Sequence, residues 1–386
     1  MKQYYVIGLN SGTSFDGVDV ALVKFFRDLK PKFVNGFVYE YPGIVKERIR
    51  KLINPVETHG YASLREISQL NFLLGEIFAE AANKIIKRNK LKKEDILLIA
   101  SHGQTIYHHP ALEHILSYKI RSTFQIGESS VIAARTGIKV VSNFREADIS
   151  CGGQGAPLMP FLDYVFFGNS KDVKVTLNIG GISNVTVVGK NINPIAFDIG
   201  TGNALIDLIA KKNFNKEFDF NGKLATKGEI DYKFIERALK DPYFKKKPPK
   251  STGKEYFNQK FLEKYFSKIK RKEDKIATVT YFSAKVIEKA FKDFIFPKYK
   301  ISEIVISGGG LKNKTLMRHL RRLLIVETPH GASLLVQSDK YNLPYKYKEA
   351  ILFALLGYTC HLKKPNNIPS CTGAIKKIIL GKMTNV

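Results

Sequence analysis

Alternating apolar and polar positions open the chain. Tyr4 to Leu9, Val18 to Phe26 and Phe33 to Tyr41 are rich in β-branched and aromatic residues and predict three strands. Between the first two, Asn10-Ser11-Gly12-Thr13-Ser14-Phe15-Asp16-Gly17 forms a hairpin loop of glycine and hydroxyls. Such a loop presents backbone N–H groups to one point, as phosphate binding needs, although a plain β-turn fits the pattern equally well. From Ser63 the period lengthens: Ser63 with Glu66 makes a capping box, and Ile67, Leu70, Leu74, Ile77, Phe78, Ala81 and Ile85 recur at helical spacing up to Lys87. Ile96 to Ala100 predicts a short strand that ends in the polar loop Ser101-His102-Gly103-Gln104-Thr105. The histidines His102, His108 and His109 lack helical metal-ligand spacing, so His102 and Gln104 read as hydrogen-bonding groups for a sugar or phosphate, or as a surface loop. A strand (Thr123 to Ile126), a helix (Ser129 to Arg135) stopped by Gly137, and a strand (Ile138 to Phe144) follow.

The stretch Arg145 to Pro157 is too glycine-rich for a helix and too polar for a core strand, which predicts a functional loop or an interdomain hinge. Its Arg145 and Asp148 offer directional hydrogen bonds to a ring hydroxyl or carboxylate, or form a structural ion pair. Then the opening pattern recurs. Val173 to Ile179 reads as a strand, Gly180-Gly181-Ile182-Ser183 as a tight turn, and Asn184 to Val188 as the returning strand. Pro194 to Phe197 reads as a third, buried strand leading into Phe197-Asp198-Ile199-Gly200-Thr201-Gly202-Asn203, with a helix opening at Asn203. This places Asp198 on a strand-to-helix turn whose helix start offers unpaired N–H groups to an anion. That arrangement suits proton abstraction beside a phosphate or sugar, the alternative being a helix-capping acid.

Two such hairpins grip a nucleotide's phosphates from both sides, and the repetition resembles the duplicated core of the actin, hexokinase and Hsp70 superfamily. The expected fold is therefore α/β, a two-domain actin-like (ribonuclease H-like) ATPase with its active site in the interdomain cleft. Residues 1–137 with 372–386 are expected to form the first domain and residues 138–371 the second, with a polar insertion at about 211–275. The stretch Lys250 to Lys254 lacks the Gly-x4-Gly-Lys-Ser/Thr of a Walker A loop. Later, Glu303 to Ser307 predicts a strand running into Gly308-Gly309-Gly310 and a basic amphipathic helix from Asn313 to Leu324. A triple glycine there admits a flat base or ribose against the backbone, packs helix closely on strand, or does both. Glu349 opens the apolar helix Ala350 to Leu356, its carboxylate pointing into the cleft or simply favouring the helix macrodipole.

Composition narrows this picture. With 386 residues, 44% of them hydrophobic, the chain can bury a substantial core and divide into two domains. It opens without a signal-peptide pattern and has no apolar run of membrane-spanning length, so a cytoplasmic protein is expected. Its three cysteines are too few and scattered for a disulfide framework or a thiolate zinc site. The formal charge of +27 raises the possibility of a nucleic-acid or membrane partner, but the lysines are spread along the chain without an aromatic-interleaved stripe, so solvated faces are the reading.

Taken together, these stretches resemble the anhydro-N-acetylmuramic acid kinase family. The resemblance is carried by Gly8-Leu9, Ser11 to Ser14 and Asp16 to Asp19; by Ser101 to Thr105 and Gln125-Ile126-Gly127; by Gly152 to Leu158 and Leu177 to Gly181; and by Phe197-Asp198, Gly202 to Leu205, Pro249 to Gly253 and Gly308 to Gly310. It covers nearly the whole chain in the family's order. It implies that ATP and water convert 1,6-anhydro-N-acetylmuramic acid to N-acetylmuramic acid 6-phosphate in peptidoglycan recycling, with Asp198 as base. It also implies ATP binding by Gly12, Thr13, Ser14, Phe15, Asp16, Gly17, Val18, Asp19, Gly180, Gly181, Gly308, Gly309 and Gly310. Mg2+ would enter with the phosphates near Asp16. Substrate contacts are implied for His102, Gln104, Arg145, Asp148, Gln154, Gly155 and Glu349, the last orienting sugar or water. The partners expected are the sugar and ATP, with no specific nucleic acid and no membrane; a homodimer is compatible with the reading. The chain departs from the family pattern at Asn10 (Met), Thr201 (Pro) and Asn143 (Asp). A sugar-sensing or chaperone-like ATPase on the same fold and a basic nucleic-acid-binding protein are the competing classes.

Overall fold

The computed structural model describes residues 4–12, 15–26, 28–53, 63–324 and 335–386, so Thr13 and Ser14 lie outside the described residues. The strands are β1 (Tyr4–Ser11), β2 (Gly17–Phe25), β3 (Lys32–Glu40), β4 (Ile96–Ile115), β5 (Tyr118–Ile126), β6 (Val140–Ser142), β7 (Val173–Ile179), β8 (Ile182–Val188), β9 (Ile195–Thr201), β10 (Ile301–Ser307), β11 (Leu335–Gln337) and β12 (Lys382–Thr384). The chain splits into two compact units, Met1–Phe166 with Asn342–Val386, and Phe167–Tyr341.

Each unit holds one mixed sheet, and the two sheets repeat one plan. In the first unit β1 pairs antiparallel with β2 and β2 with β3, while β4 and then β6 continue parallel on the other side of β1. In the second unit β7 pairs antiparallel with β8 and β8 with β9, while β10 and then β11 continue parallel on the other side of β7. Strand order and polarity are thus the same in both. This is the duplicated actin-like α/β core that the two glycine hairpins predicted.

Residues 138–166 and 342–371 were expected with the second domain, yet they lie in the first unit. Strand pairing accounts for this: β6 joins β4, and β12 joins β6. The helix Lys348–His361 also packs directly on β1, where a Cβ on Gly8 would stand 1.9 Å from the Ala350 carbonyl oxygen, so only glycine admits the helix backbone this closely. At the start of that helix Lys348 is buried and meets the buried Asp163 carboxylate at 2.9 Å.

Other elements extend or correct the expectations. The helix Leu64–Arg88 carries the predicted Ser63–Glu66 capping box, and Gly137 closes the helix Ser129–Thr136 in the left-handed region at φ 68°. The polar stretch expected as a loop from Ser101 is instead the continuation of β4, because β1 pairs Leu9 with Ser101 and Ser11 with Gln104, and β5 folds back to pair Ile126 with Gln104 and Gln125 with Thr105. The loop from Arg145 contains a short helix, Glu146–Ser150. The stretch 211–275 adds helices that the first unit, among its described residues, lacks between its corresponding strands, but it is not polar throughout as expected. Its helices Tyr232–Leu239, Pro242–Lys245 and Gln259–Phe266 and the segment between them bury Tyr243, Phe244, Phe257, Phe261 and Phe266 in the second unit's core, against Phe282 and Val286. Lysines on the outer faces of these helices masked an apolar stripe.

Removing one partner of a buried ion pair leaves the other charged and desolvated, at a cost of about 3–5 kcal/mol. Asp163→Ala is therefore expected to destabilise the first unit by that order, read as an earlier urea transition.

Candidate active site

In the first unit, strand register brings Asn10 opposite Asp19 at the turn end of the β1–β2 hairpin. The close packing at Gly8 carries Glu349 to the same place, and Asn10 Nδ2 donates to Glu349 Oε2 at 2.7 Å. Burial, reinforced by the like charge of Glu349, pushes the Asp19 carboxyl up to about 6, with Lys346 opposing and Asp16 adding to the rise. Asn10, noted above only as a departure from the family pattern, is thus the group that holds Glu349. Of the hairpin residues, Gly12 has open space around its Cα and Asp16 is exposed, so these face outward. Val18 is a core residue, Phe15 packs against the same core, and a Gly17 Cβ would stand 2.2 Å from the Tyr39 carbonyl oxygen. Val18, Phe15 and Gly17 therefore shape the turn from behind.

Beside the hairpin, the Tyr41 hydroxyl donates to Ser11 Oγ, which donates to the buried Gln104 Oε1. His102 is buried and stacks on Phe353 with ring centroids 4.4 Å apart. Arg145 Nε donates to its Nε2 at 3.1 Å, which requires the proton on Nδ1, 3.1 Å from the Gly103 carbonyl oxygen. Burial, then the Arg145 charge, hold the His102 pKa well below its ordinary value, so the ring is neutral and serves to fix Arg145. Arg145 Nη1 donates to the Gly155 carbonyl at 2.8 Å. The fully buried Asp148 does not reach outward as expected. Its carboxylate accepts from Gly155 N, Asn367 Nδ2 and Thr372 Oγ1, so its capacity is occupied in bracing the loop that presents the exposed Gln154.

In the second unit, Asp198 lies within β9, opposite Asn184 on β8 next to a register shift, and not on a strand-to-helix turn. The amides of Gly202, Asn203 and Ala204, expected to be open to an anion, donate to the carbonyls of Gly181, Gly180 and Gly181. The helix start therefore anchors the Gly180-Gly181 turn. Asp198 is partly buried; its Oδ2 accepts from Thr252 N at 3.0 Å, and its carbonyl accepts from the Tyr243 hydroxyl at 2.7 Å. Burial pushes its carboxyl up to about 6 against the opposing Thr252 hydrogen bond, with Glu255 adding to the rise and Lys250 resisting it.

The Lys254 side chain crosses the turn, its Cε 2.8 Å from where a Gly181 Cβ would stand. Its charge faces Asp207, whose carboxyl burial raises to about 7. Cβ atoms on Gly308 and Gly310 would collide with Ile179, while Gly309 is exposed with nothing near its Cα. The triple glycine thus both packs on β7 and leaves one bare backbone face. Neither Thr252 nor Lys254 had been assigned a role from sequence; their position between two prolines and an acid was the available signal.

A duplicated sheet of this order, with a glycine turn in each copy and a partly buried carboxylate on a strand of the second, is the plan of the ATPases of the actin and hexokinase type. The comparisons give the particular family. A family model described as anhydro-N-acetylmuramic acid kinase matches residues 4–386. The chain is 41% identical to the anhydro-N-acetylmuramic acid kinase of Caldanaerobacter subterraneus subsp. tengcongensis, covering 99% of this chain and 97% of that protein. It is 38% identical to the enzyme of the same description from Bacillus thuringiensis subsp. konkukian, covering 98% and 99%. Component A of the Acidaminococcus fermentans (R)-2-hydroxyglutaryl-CoA dehydratase is a more distant solved structure, with 16% identity, 93% and 100% coverage and a TM-score of 0.45, and the fold assignment rests on the strand order instead. The chain belongs to the anhydro-N-acetylmuramic acid kinase family. Its reaction opens the 1,6-anhydro ring of anhydro-N-acetylmuramic acid and phosphorylates O6 at the expense of ATP, a step of peptidoglycan recycling.

Lysine cannot reproduce the two-armed contact of Arg145 with His102 and Gly155. Arg145→Lys is expected to leave the sheet intact but speed amide hydrogen exchange across residues 148–157 by about tenfold, measured by mass spectrometry.

Proposed function

We propose that Asp198 is the general base of this kinase. The observation that carries the reading is a partly buried carboxylate, aligned by an amide N–H and raised to about 6. Such a group is ionised at neutral pH and still basic enough to accept a proton from water in the transition state. The water's O–H bond breaks toward Asp198 as its oxygen bonds to the anomeric carbon. The C1–O6 bond breaks, and O6 bonds to the γ-phosphorus as the bond to ADP breaks. The proton on Asp198 returns to solvent after release.

Phosphate charge is taken up by the Gly12 to Asp19 turn, in which Thr13 and Ser14 belong to the assignment, and by Gly180-Gly181 with Lys254. Gly309 and its neighbours Gly308 and Gly310 receive the adenosine. On the sugar, Glu349 orients the ring or the water, while Gln154, Arg145, His102 and Gln104 supply or support hydrogen bonds. Asp148 and Gly155 hold that loop in shape. Among the described residues no group of three or more His, Cys, Asp or Glu stands ready to hold a metal by itself. The like-charge crowding of Asp19 by Glu349 and Asp16 nevertheless fits a Mg2+ carried in with phosphates, which binds through one or two carboxylates. Asp19 and Asp16 would hold it, and it would neutralise phosphate charge as the γ-phosphoryl group transfers. No described helix is long and apolar enough to cross a membrane, and a cytoplasmic setting supplies both ATP and the recycled sugar.

Asp198→Asn is expected to lower turnover by at least about a thousandfold while ATP affinity changes less than about threefold, read by ADP release and by calorimetry. Turnover near the wild-type rate would remove Asp198 from this role. Because the base must be unprotonated, kcat should be level above neutrality and fall as pH drops through about 6. ADP release should require the anhydro sugar and stay at background with N-acetylglucosamine.

A further inference from the structure

Asp198 lies on β9, the edge strand of the second sheet, and an edge strand leaves one row of backbone groups open. The segment from Pro248 to Glu255 covers that edge. Asp198 N donates to the Lys250 carbonyl at 2.9 Å, and Thr252 N donates to Asp198 Oδ2 at 3.0 Å. The Lys250 ammonium is turned inward: the residue is 8% exposed, and Nζ stands 4.7 Å from the Tyr243 ring centroid and 5.1 Å from that of Phe294. Glu255, by contrast, is exposed, and its carboxylate folds back beside Gly253, where a Cβ would stand 2.1 Å from Oε2.

We infer that Pro248–Glu255 is a positioning segment for the base: its backbone aims the Asp198 carboxylate, and Lys250 and Glu255, with opposite charges, set how firmly that carboxylate stays ionised. This rests on the reading of Asp198 as the base and extends it to Lys250 and Glu255, neither of which is assigned to sugar or nucleotide. The charges around Asp198 have the required signs, since Lys250 favours its ionised form and Glu255 disfavours it. The Tyr243 phenol beside it is pushed up by burial and stays neutral. Burial lowers Lys250 to about 8 against Asp293 and Asp198, which favour its charge, with Lys289 and Lys246 opposing, so Lys250 remains a cation where kcat loses its acid limb. The two ring faces stabilise that cation out of water.

The test is the pH dependence of kcat from pH 5 to 9 at saturating Mg-ATP and anhydro sugar, for the full chain and for Lys250→Met, Lys250→Arg and Glu255→Gln. Lys250→Met should move the acid limb up by about half a pH unit, so that the rate at pH 6 falls about a further twofold relative to its plateau. Lys250→Arg should restore the wild-type limb. Glu255→Gln, an exposed substitution that does not disturb the core, should move the limb down, and it decides the sign even if Lys250→Met does not fold. ATP affinity by calorimetry should stay within about twofold throughout. A limb that ignores both Lys250→Met and Glu255→Gln, as one owned by Asp19 in the first unit would, overturns the inference, and so do shifts in the same direction. Asp198→Asn in the same assay separates the two readings. If it is active, the base assignment itself has failed; if it is inactive while the other limbs do not move, only the role of this segment has failed.

Discussion

Keeping a carboxylate charged while it is partly withdrawn from water is the constraint around which the second unit is built. Burial raises Asp198, and a lone carboxyl so treated would drift toward the neutral acid. One amide N–H and one buried ammonium oppose that drift, and both come from a single segment held on the strand by a backbone hydrogen bond. The aromatic core formed by Tyr243, Phe244, Phe257 and their neighbours is therefore more than filling. It fixes the segment's path and provides the Tyr243 ring face against which Lys250 can stay charged.

The first unit solves a related problem by proximity. Gly8 allows a helix backbone to lie against β1, and this contact delivers Glu349 to Asn10 at one end of the strand. The buried Lys348–Asp163 pair fixes the start of the same helix. Asn10 gives Glu349 a hydrogen-bond donor in this chain, so this side chain sets how the acid is held. The Arg145–His102–Phe353 stack works similarly. A neutral imidazole, kept neutral by burial, is a fixed acceptor that aims a guanidinium at the Gly155 carbonyl.

The strong positive charge looks different once the helices of 211–275 are seen in place. Lysines there coat the outside of amphipathic helices whose aromatic faces are buried, and the excess charge that made the stretch read as polar is the solvent side of a core element. Glycine behaves in the same two-sided way. Gly308 and Gly310 are required by the approach of Ile179, and Gly309 alone is bare. A run of three identical letters therefore contains two packing positions and one open one.

Periodicity, capping residues and the recurrence of a glycine hairpin were enough to determine the duplicated α/β core and the long capped helix from Leu64, because each depends on neighbours a few residues away, while the family showed itself in motifs ordered along nearly the whole chain. What lay outside their reach depends on partners far along the chain. Strand β4 runs on through Ser101 to Thr105 because β1 pairs with Ser101 and Gln104 and β5 returns to Gln104 and Thr105; Asp148 is enclosed because Asn367 and Thr372 come back to it; Asp198 sits inside a strand rather than on a turn because β8 pairs with it at Asn184, and Lys250 and Thr252 then cover its other edge. Local pattern encodes which elements form. Long-range pairing alone decides which polar atoms they leave free for chemistry.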